Sequence, residues 1–359
     1  MKKPGIIITG ATGFLGNRLV KKLHKDYRIF AIALRSPRDV SAPEGHELQW
    51  FQVHIGNMDR LLAVFNHIRE MGGAEILLHL AAYYDFTGVD HPEYEQTNVI
   101  GTRNVLELSV PLKLQRFIFT SSVAACPFPE PGKTVTEDTP PLAPVPYAQS
   151  KRKGEEMMHH IKDRIPSCIL RLAAIFSDWS EYQPLDVLLR TWCSNRWDAR
   201  ILAGRGKTAI PYLHAKDLLS FFLSVIKRSN TLNPMEILQA SPDGSTTHLE
   251  LYRETTRNFF KSTRFPIHVP KSLARSGLLL REKMGQRTGN MPFERSWMAD
   301  YIDLRLDIDA SRTRNRMDWM PQKSLHILKR IPYMVQNMQN HPDEWERRNK
   351  ARRQFDRTN

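Results

Sequence analysis

Along the first half of the chain, short apolar runs alternate with stretches whose apolar positions recur every three to four residues. The runs at residues 5–9, 28–34, 48–54, 76–80, 116–121 and 167–172 read as strands buried on both faces. The stretches at 15–25, 59–71, 98–110 and 148–165 have helical spacing. Strand and helix in turn is the pattern of βαβ units, so the expected fold class is α/β, a doubly wound parallel sheet. Seven prolines between Pro127 and Pro146 exclude regular helix there and predict a loop leading onto the helix at 148–165.

Past about residue 175 the alternation fails. A helix at 216–227 and a strand at 236–240 continue the first pattern, whereas 271–284 reads as a separate, partly amphipathic helix. Asp300, Asp303, Asp307 and Asp309 interleave with Tyr301, Ile302, Leu304, Leu306 and Ile308, which predicts a half-buried strand. Residues 345–359 are strongly polar and basic, and read as a frayed helix or a disordered tail. The expected organisation is a dinucleotide-binding region at 1–175 with returns at 207–240. A smaller interleaved lobe at 176–206 and 241–330 and a basic end at 331–359 complete it.

The chain has 359 residues, enough for a sizeable core plus a second lobe, and no apolar run long enough to cross a bilayer. Its three cysteines, Cys126, Cys168 and Cys193, show neither disulfide nor zinc spacing, and the histidines show no ligand spacing, so no metal is expected. A reducing, cytoplasmic location is the resulting expectation, the first apolar run being too short for a secretion signal. Residues 251–359 carry 23 Lys/Arg against 12 Asp/Glu, so most of the net charge of +14 lies in the C-terminal third. Solvated surface charge accounts for that, and peripheral contact with an anionic membrane is the alternative; nothing in it demands nucleic acid.

Between the first strand and first helix stands Thr9-Gly10-Ala11-Thr12-Gly13-Phe14-Leu15-Gly16. Glycines at such a turn allow close approach of backbone to a pyrophosphate, with the helix N-terminus facing the anion. The second strand ends in Leu34-Arg35-Ser36-Pro37-Arg38, without the acidic residue that meets the ribose hydroxyls of NAD(H). NADP(H) is therefore favoured, with Arg35 forked on a 2′-phosphate and Arg38 in support. Tyr147 and Lys151 lie one helical turn apart, where an ammonium would lower the tyrosine's pKa from about 10 and fit it for proton transfer. Alone, that pair also fits an ordinary surface helix.

Taken in order, these residues resemble the extended short-chain dehydrogenase/reductase family, the NAD-dependent epimerase/dehydratase superfamily. The likeness spans roughly residues 5–240. Besides the glycine turn it includes His79-Leu80-Ala81-Ala82, Asn98-Val99-Ile100-Gly101-Thr102, Thr120-Ser121-Ser122, Pro146-Tyr147, Lys151, Leu170-Arg171 and Tyr212-Leu213-His214-Ala215-Lys216-Asp217. The resemblance implies Tyr147 as general acid/base, Lys151 on the nicotinamide ribose, Ser122 on the reacting oxygen, with Ser121 as alternative, and Asn98 in support. It also implies that Leu80, Ala81 and Ala82 line the cofactor, and that the helices at 98–110 and 148–165 pair in a homodimer.

Several departures narrow the branch. The dehydratases' Asp-Glu pair is replaced by Ser121-Ser122, and the epimerases' Arg-Asp before the Tyr-Ile-His segment by Ile210-Pro211. Val53-His54 stands where an Asp usually meets adenine. The 3β-hydroxysteroid dehydrogenase and dihydroflavonol reductase-like branch is the nearest match, which implies a bulky apolar alcohol or ketone as substrate. Tyr83, Tyr84 and Phe86 after the fourth strand are pocket candidates, with Trp179, Tyr182 and Trp192 closing it from the second lobe. A nucleotide-sugar epimerase and a dinucleotide-binding scaffold for RNA or membrane are the competing functions.

Overall fold

The computed structural model describes residues 3–353. Its centre is a seven-stranded parallel sheet. β1 (Gly5–Thr9), β2 (Arg28–Ala33), β3 (Leu48–Gln52), β4 (Ile76–His79), β5 (Arg116–Ser122) and β6 (Ser167–Leu172) follow in sequence, and Met235–Ala240 completes it. In space the order is Met235–Ala240, β6, β5, β4, β1, β2, β3, so the direction of winding reverses between β1 and β4. At such a reversal two loops diverge and leave a crevice at the carboxyl ends of the strands.

The apolar run of β1 is continuous because both faces are covered. Ile6 and Ile8 join a core with α1 (Phe14–Leu23) and the helix Ala215–Lys227, while Ile7 turns to the opposite core. That second core is closed by α2 (Met58–Glu70), α3 (Thr102–Ser109) and α4 (Pro146–Ile161). Asn57 caps α2 by accepting the Arg60 N–H at 3.0 Å, and Pro146 occupies the first turn of α4, where no N–H partner is required. A third cluster holds the second lobe together, from Phe176, Leu185 and Trp192 to Ile331, Met334 and Trp345.

Three expectations are corrected. The helix placed at 98–110 begins earlier, at Tyr94, as a π-helical segment, Tyr94–Gly101, leading into α3. The 300–309 alternation does not form a continuous strand. Ser296–Tyr301 is a 3₁₀ turn, and Asp303 takes a left-handed φ of 64° that interrupts extension. Beyond it, single bridges link Arg305 to Ala209 and Ile308 to both Val135 and Gly244, and the buried side chains Leu306 and Ile308 keep the expected period of two. At the C-terminus, Pro342–Arg353 is helical and docked. Trp345 is 1% exposed, with its indole N–H donated to Asp186 Oδ1 at 2.8 Å, and Asn349 accepts the Glu181 N–H at 3.0 Å. The rest of the tail expectation, residues 354–359, lies outside the described residues.

Candidate active site

Gly10 ends β1 with φ 66°, and a Cβ there would sit 2.8 Å from the backbone N of Ala81. Gly13 N–H donates to the Gly10 carbonyl at 2.9 Å, and a Cβ on Gly16 would collide with that same carbonyl. The turn is therefore as tight as backbone allows, and opens toward the crevice. A cleft of about 380 Å³ occupies that position, lined by Gly10, Thr12, Gly13 and Phe14, by Leu80, Ala81 and Ala82, and by Arg35. The Leu15 side chain, 9% exposed, packs in the core. Glycine cradle, helix N-terminus and long cleft together fit a dinucleotide.

Arg35 leaves the end of β2 and donates to the Thr12 carbonyl at 3.0 Å, which holds its guanidinium beside the glycine turn. Arg38 is exposed on the 3₁₀ turn Pro37–Val40, outside the cleft lining. His54 lines the far end, accepting the Gly56 N–H on Nδ1 at 3.0 Å and facing Thr97 at 3.1 Å through Nε2. It presents a flat ring, not a carboxylate, to the cleft.

Under the cleft floor, Thr9 donates its hydroxyl to His79 Nδ1 at 2.8 Å and accepts the Leu80 and Ala81 N–H groups, each at 3.2 Å. Thr102 gives its hydroxyl proton to the Asn98 carbonyl at 2.6 Å, so His79 Nε2 must be the donor across the 3.0 Å contact to Thr102. His79 is thus a neutral tautomer, and burial pushes its pKa down to about 3. This chain of bonds ties the floor of the cleft to the π-helical segment.

Asn98, on that segment, accepts the Tyr83 N–H at 2.7 Å and donates to the Tyr83 carbonyl at 3.0 Å and to Ser150 Oγ at 2.9 Å. It clamps the strand-end loop to α4, which carries Tyr147 and Lys151. The two adjacent serines separate by orientation. Ser121 donates to Glu155 Oε1 at 2.6 Å, inside a buried pair in which Arg171 meets both Glu155 oxygens at 3.0 and 2.8 Å. Ser122 faces the opposite way, where its hydroxyl accepts the Ala124 N–H at 3.1 Å and supports the Tyr147 phenol.

Lys151 does not reach the phenol. Its ammonium donates to the Thr120 carbonyl at 2.9 Å and lies 5.9 Å from the Tyr147 ring centre. Burial pushes the Tyr147 phenol up to about 12, against the opposing Ser122 bond, and pulls Lys151 down to about 8. The expected lowering of the tyrosine by its lysine neighbour is therefore not met by these residues on their own, because desolvation outweighs a cation held at that distance.

Tyr84 lines the cleft and packs on Tyr147 with ring centres 4.3 Å apart. Phe86 meets Tyr84 at 4.5 Å, Tyr182 at 5.8 Å and Phe293 at 5.7 Å, forming an aromatic wall drawn from both lobes. Tyr83 sits beside it, with its hydroxyl on Asp85 at 2.8 Å. Trp179 and Trp192, by contrast, do not line the cleft: Arg348 of the C-terminal helix stacks 4.7 Å from Trp179, and Trp192 packs on Tyr252 at 5.6 Å in the second-lobe core. Phe293 was not legible in the sequence, since it lies far along the chain in a segment without periodic pattern. A second cleft of about 430 Å³, around His214, Asp217 and Arg314, contains none of these groups and is not the site of this chemistry.

Comparison with known proteins agrees with this fold. The chain is 31% identical over 190 residues to Protein CapI of Staphylococcus aureus, covering 48% of this chain and 55% of that one. It is 24% identical over 227 residues to a 3 beta-hydroxysteroid dehydrogenase/Delta 5-->4-isomerase of Vaccinia virus (strain Ankara), covering 55% and 62%. The matched stretch is thus under two thirds of either relative's length. The fold is shared with dTDP-glucose 4,6-dehydratase from Bacillus anthracis str. Ames in complex with NAD, at TM-score 0.70 and 19% identity over 96% of this chain and 99% of that one. A family model described as NAD dependent epimerase/dehydratase family matches residues 6–239, the stretch that carries glycine turn, Asn98, Ser122, Tyr147 and Lys151, and the chain belongs to that family, an extended short-chain dehydrogenase/reductase.

Proposed function

We propose that the protein is an NAD(P)-dependent oxidoreductase acting on a secondary alcohol or its ketone, with Tyr147 as the proton-transfer group. The observation that carries this is the grouping of Ser122, Tyr147 and Lys151 behind Tyr84, which lines the cleft that also holds the glycine cradle. A bound nicotinamide would supply the hydride donor or acceptor. The residues would do the remainder. Tyr147 rests as a phenol and gives its proton to the carbonyl oxygen in the reducing direction. Ser122, whose hydroxyl is anchored by the Ala124 N–H, orients that oxygen, while Asn98 fixes α4 against the strand-end loop.

The aromatic wall of Tyr84, Phe86, Tyr182 and Phe293 supports a bulky apolar substrate. Arg35, fixed on the Thr12 carbonyl with no carboxylate at the end of β2, supports NADP(H) over NAD(H). Arg35→Ala is expected to weaken NADPH by about tenfold or more in a fluorescence titration, and NADH little. Equal loss for both cofactors would remove the preference.

Epimerisation is the second reading, because relatives such as the UDP-glucose 4-epimerase of Mycolicibacterium smegmatis, 29% identical over 158 residues, carry that activity in their names. Against it, Ile210-Pro211 offers no cation for a sugar diphosphate. A panel of ketones and alcohols with NADPH and NADH separates the two. Net change in nicotinamide absorbance supports the oxidoreductase; conversion of a nucleotide sugar without net change supports the epimerase.

A further inference from the structure

The helix Lys271–Thr288 touches the rest of the protein along one side only. Ala274, Leu278, Glu282 and Gly285 make that side, where Glu282 accepts the Ser296 N–H at 3.1 Å. The opposite side carries Leu273, Leu280 and Met284, exposed at 63%, 61% and 58%. At helical pitch these three side chains fall within a strip roughly 40° wide. Arg281, ion-paired with Glu294 at 3.7 Å, borders the strip on one edge, Lys283 and Arg287 on the other. The helix's one carboxylate, Glu282, is on the packed side, so the exposed side is apolar in the middle and purely basic along the Lys283 and Arg287 margin.

More apolar surface stands beside it. Trp197 is 83% exposed in a turn whose Asp198 lies in the field of Arg281. Phe265 and Ile267, at 73% and 51%, are tied to the same turn through the Arg200 bond to the Phe265 carbonyl at 3.0 Å. Singly exposed apolar residues are ordinary, but a row of this kind with cationic margins is not.

We propose that this face docks on an anionic lipid surface, with the helix lying in the headgroup plane. Leucine and methionine would enter the acyl boundary, while the long arginine and lysine stems carry their charges outward to the phosphates. A second copy of the chain fits less well, since a twofold contact would set Lys283 and Arg287 against a strip that carries no carboxylate of its own. Among the described residues no helix is long and apolar enough to cross a membrane, so the contact is peripheral. The segment following the helix returns to the cleft, where Phe293 packs on Phe86 and the Trp297 indole donates to the Thr87 carbonyl at 2.9 Å. Docking would thus hold the aromatic wall close to the lipid surface.

Co-sedimentation of the full chain with phosphatidylcholine vesicles, with and without phosphatidylglycerol, tests this. Binding to the anionic vesicles is expected to be about tenfold or more stronger and to weaken with salt. The pair Leu280→Glu/Met284→Glu should lower it by about tenfold or more. The pair Lys283→Glu/Arg287→Glu should abolish the preference for the anionic lipid, and dinucleotide affinity should be unchanged in both. Should the first pair lose dinucleotide binding through misfolding, the charge-reversal pair and the salt titration decide. The proposal is overturned if the wild type does not sediment, or if the charge-reversal pair binds like it. It is equally overturned if the exposed face proves to hold a dimer that Leu280→Glu/Met284→Glu dissociates while vesicles are ignored.

Discussion

Tyr147 is a phenol across the neutral range, because burial outweighs the help it receives from Ser122. Lys151 donates to the Thr120 carbonyl and lies 5.9 Å from the Tyr147 ring centre, too far to offset the burial of the phenol. His79 shows the same dominance of desolvation with a consequence for stability. Its pKa falls from 6.5 to about 3 in the folded protein, so between those values the unfolded chain binds the extra proton. Stability contributed by the neutral ring is complete above pH 6.5 and is lost as pH falls toward 3. Urea midpoints should therefore drop between pH 6.5 and 4, and drop less in His79→Asn. An equal slope in the variant would show that other groups carry the acid response.

At the scale of elements, the Glu155–Arg171 pair joins α4 to β6 with both side chains about 2% exposed. Arg171→Met would strand a buried carboxylate beside Ser121 and should cost about 3–5 kcal/mol in chemical denaturation, against near-neutrality for the double change Arg171→Met/Glu155→Leu. A single variant as stable as wild type would contradict the assignment. Legibility in the sequence followed how each element is stabilised. β1 and β6 were readable to the residue because strands covered on both faces are apolar throughout. The start of the helix at Tyr94 was not, since a π-helical stretch shifts the period that marks a helix. Among site residues, the glycine turn was legible by its spacing, whereas Tyr147 and Lys151 stood out only through their order after it and after Thr120-Ser121-Ser122. The choice between Ser121 and Ser122 needed the geometry, because adjacent residues on a strand differ only in the face they address. Arg38 and Trp179 carried the right chemistry in the wrong place: one is exposed on a turn, the other sits under the C-terminal helix.

Over the whole molecule, the second lobe supplies one side of the aromatic wall and the C-terminal helix completes that lobe. Trp345 is the anchor, hidden in a sequence otherwise too polar to look structured. Trp345→Ala should destabilise by about 3–5 kcal/mol while leaving dinucleotide affinity within about twofold; unchanged stability would contradict the docking of this helix. The architecture then places a phenol with its serine directly behind Tyr84, a wall residue of the cleft that holds the anion cradle. Turnover of a ketone or secondary alcohol by wild type and Tyr147→Phe, with dinucleotide binding measured on both, tests that arrangement most directly. The account predicts a fall in kcat of about 10²–10⁴-fold with cofactor affinity retained. Undiminished turnover in Tyr147→Phe would contradict it.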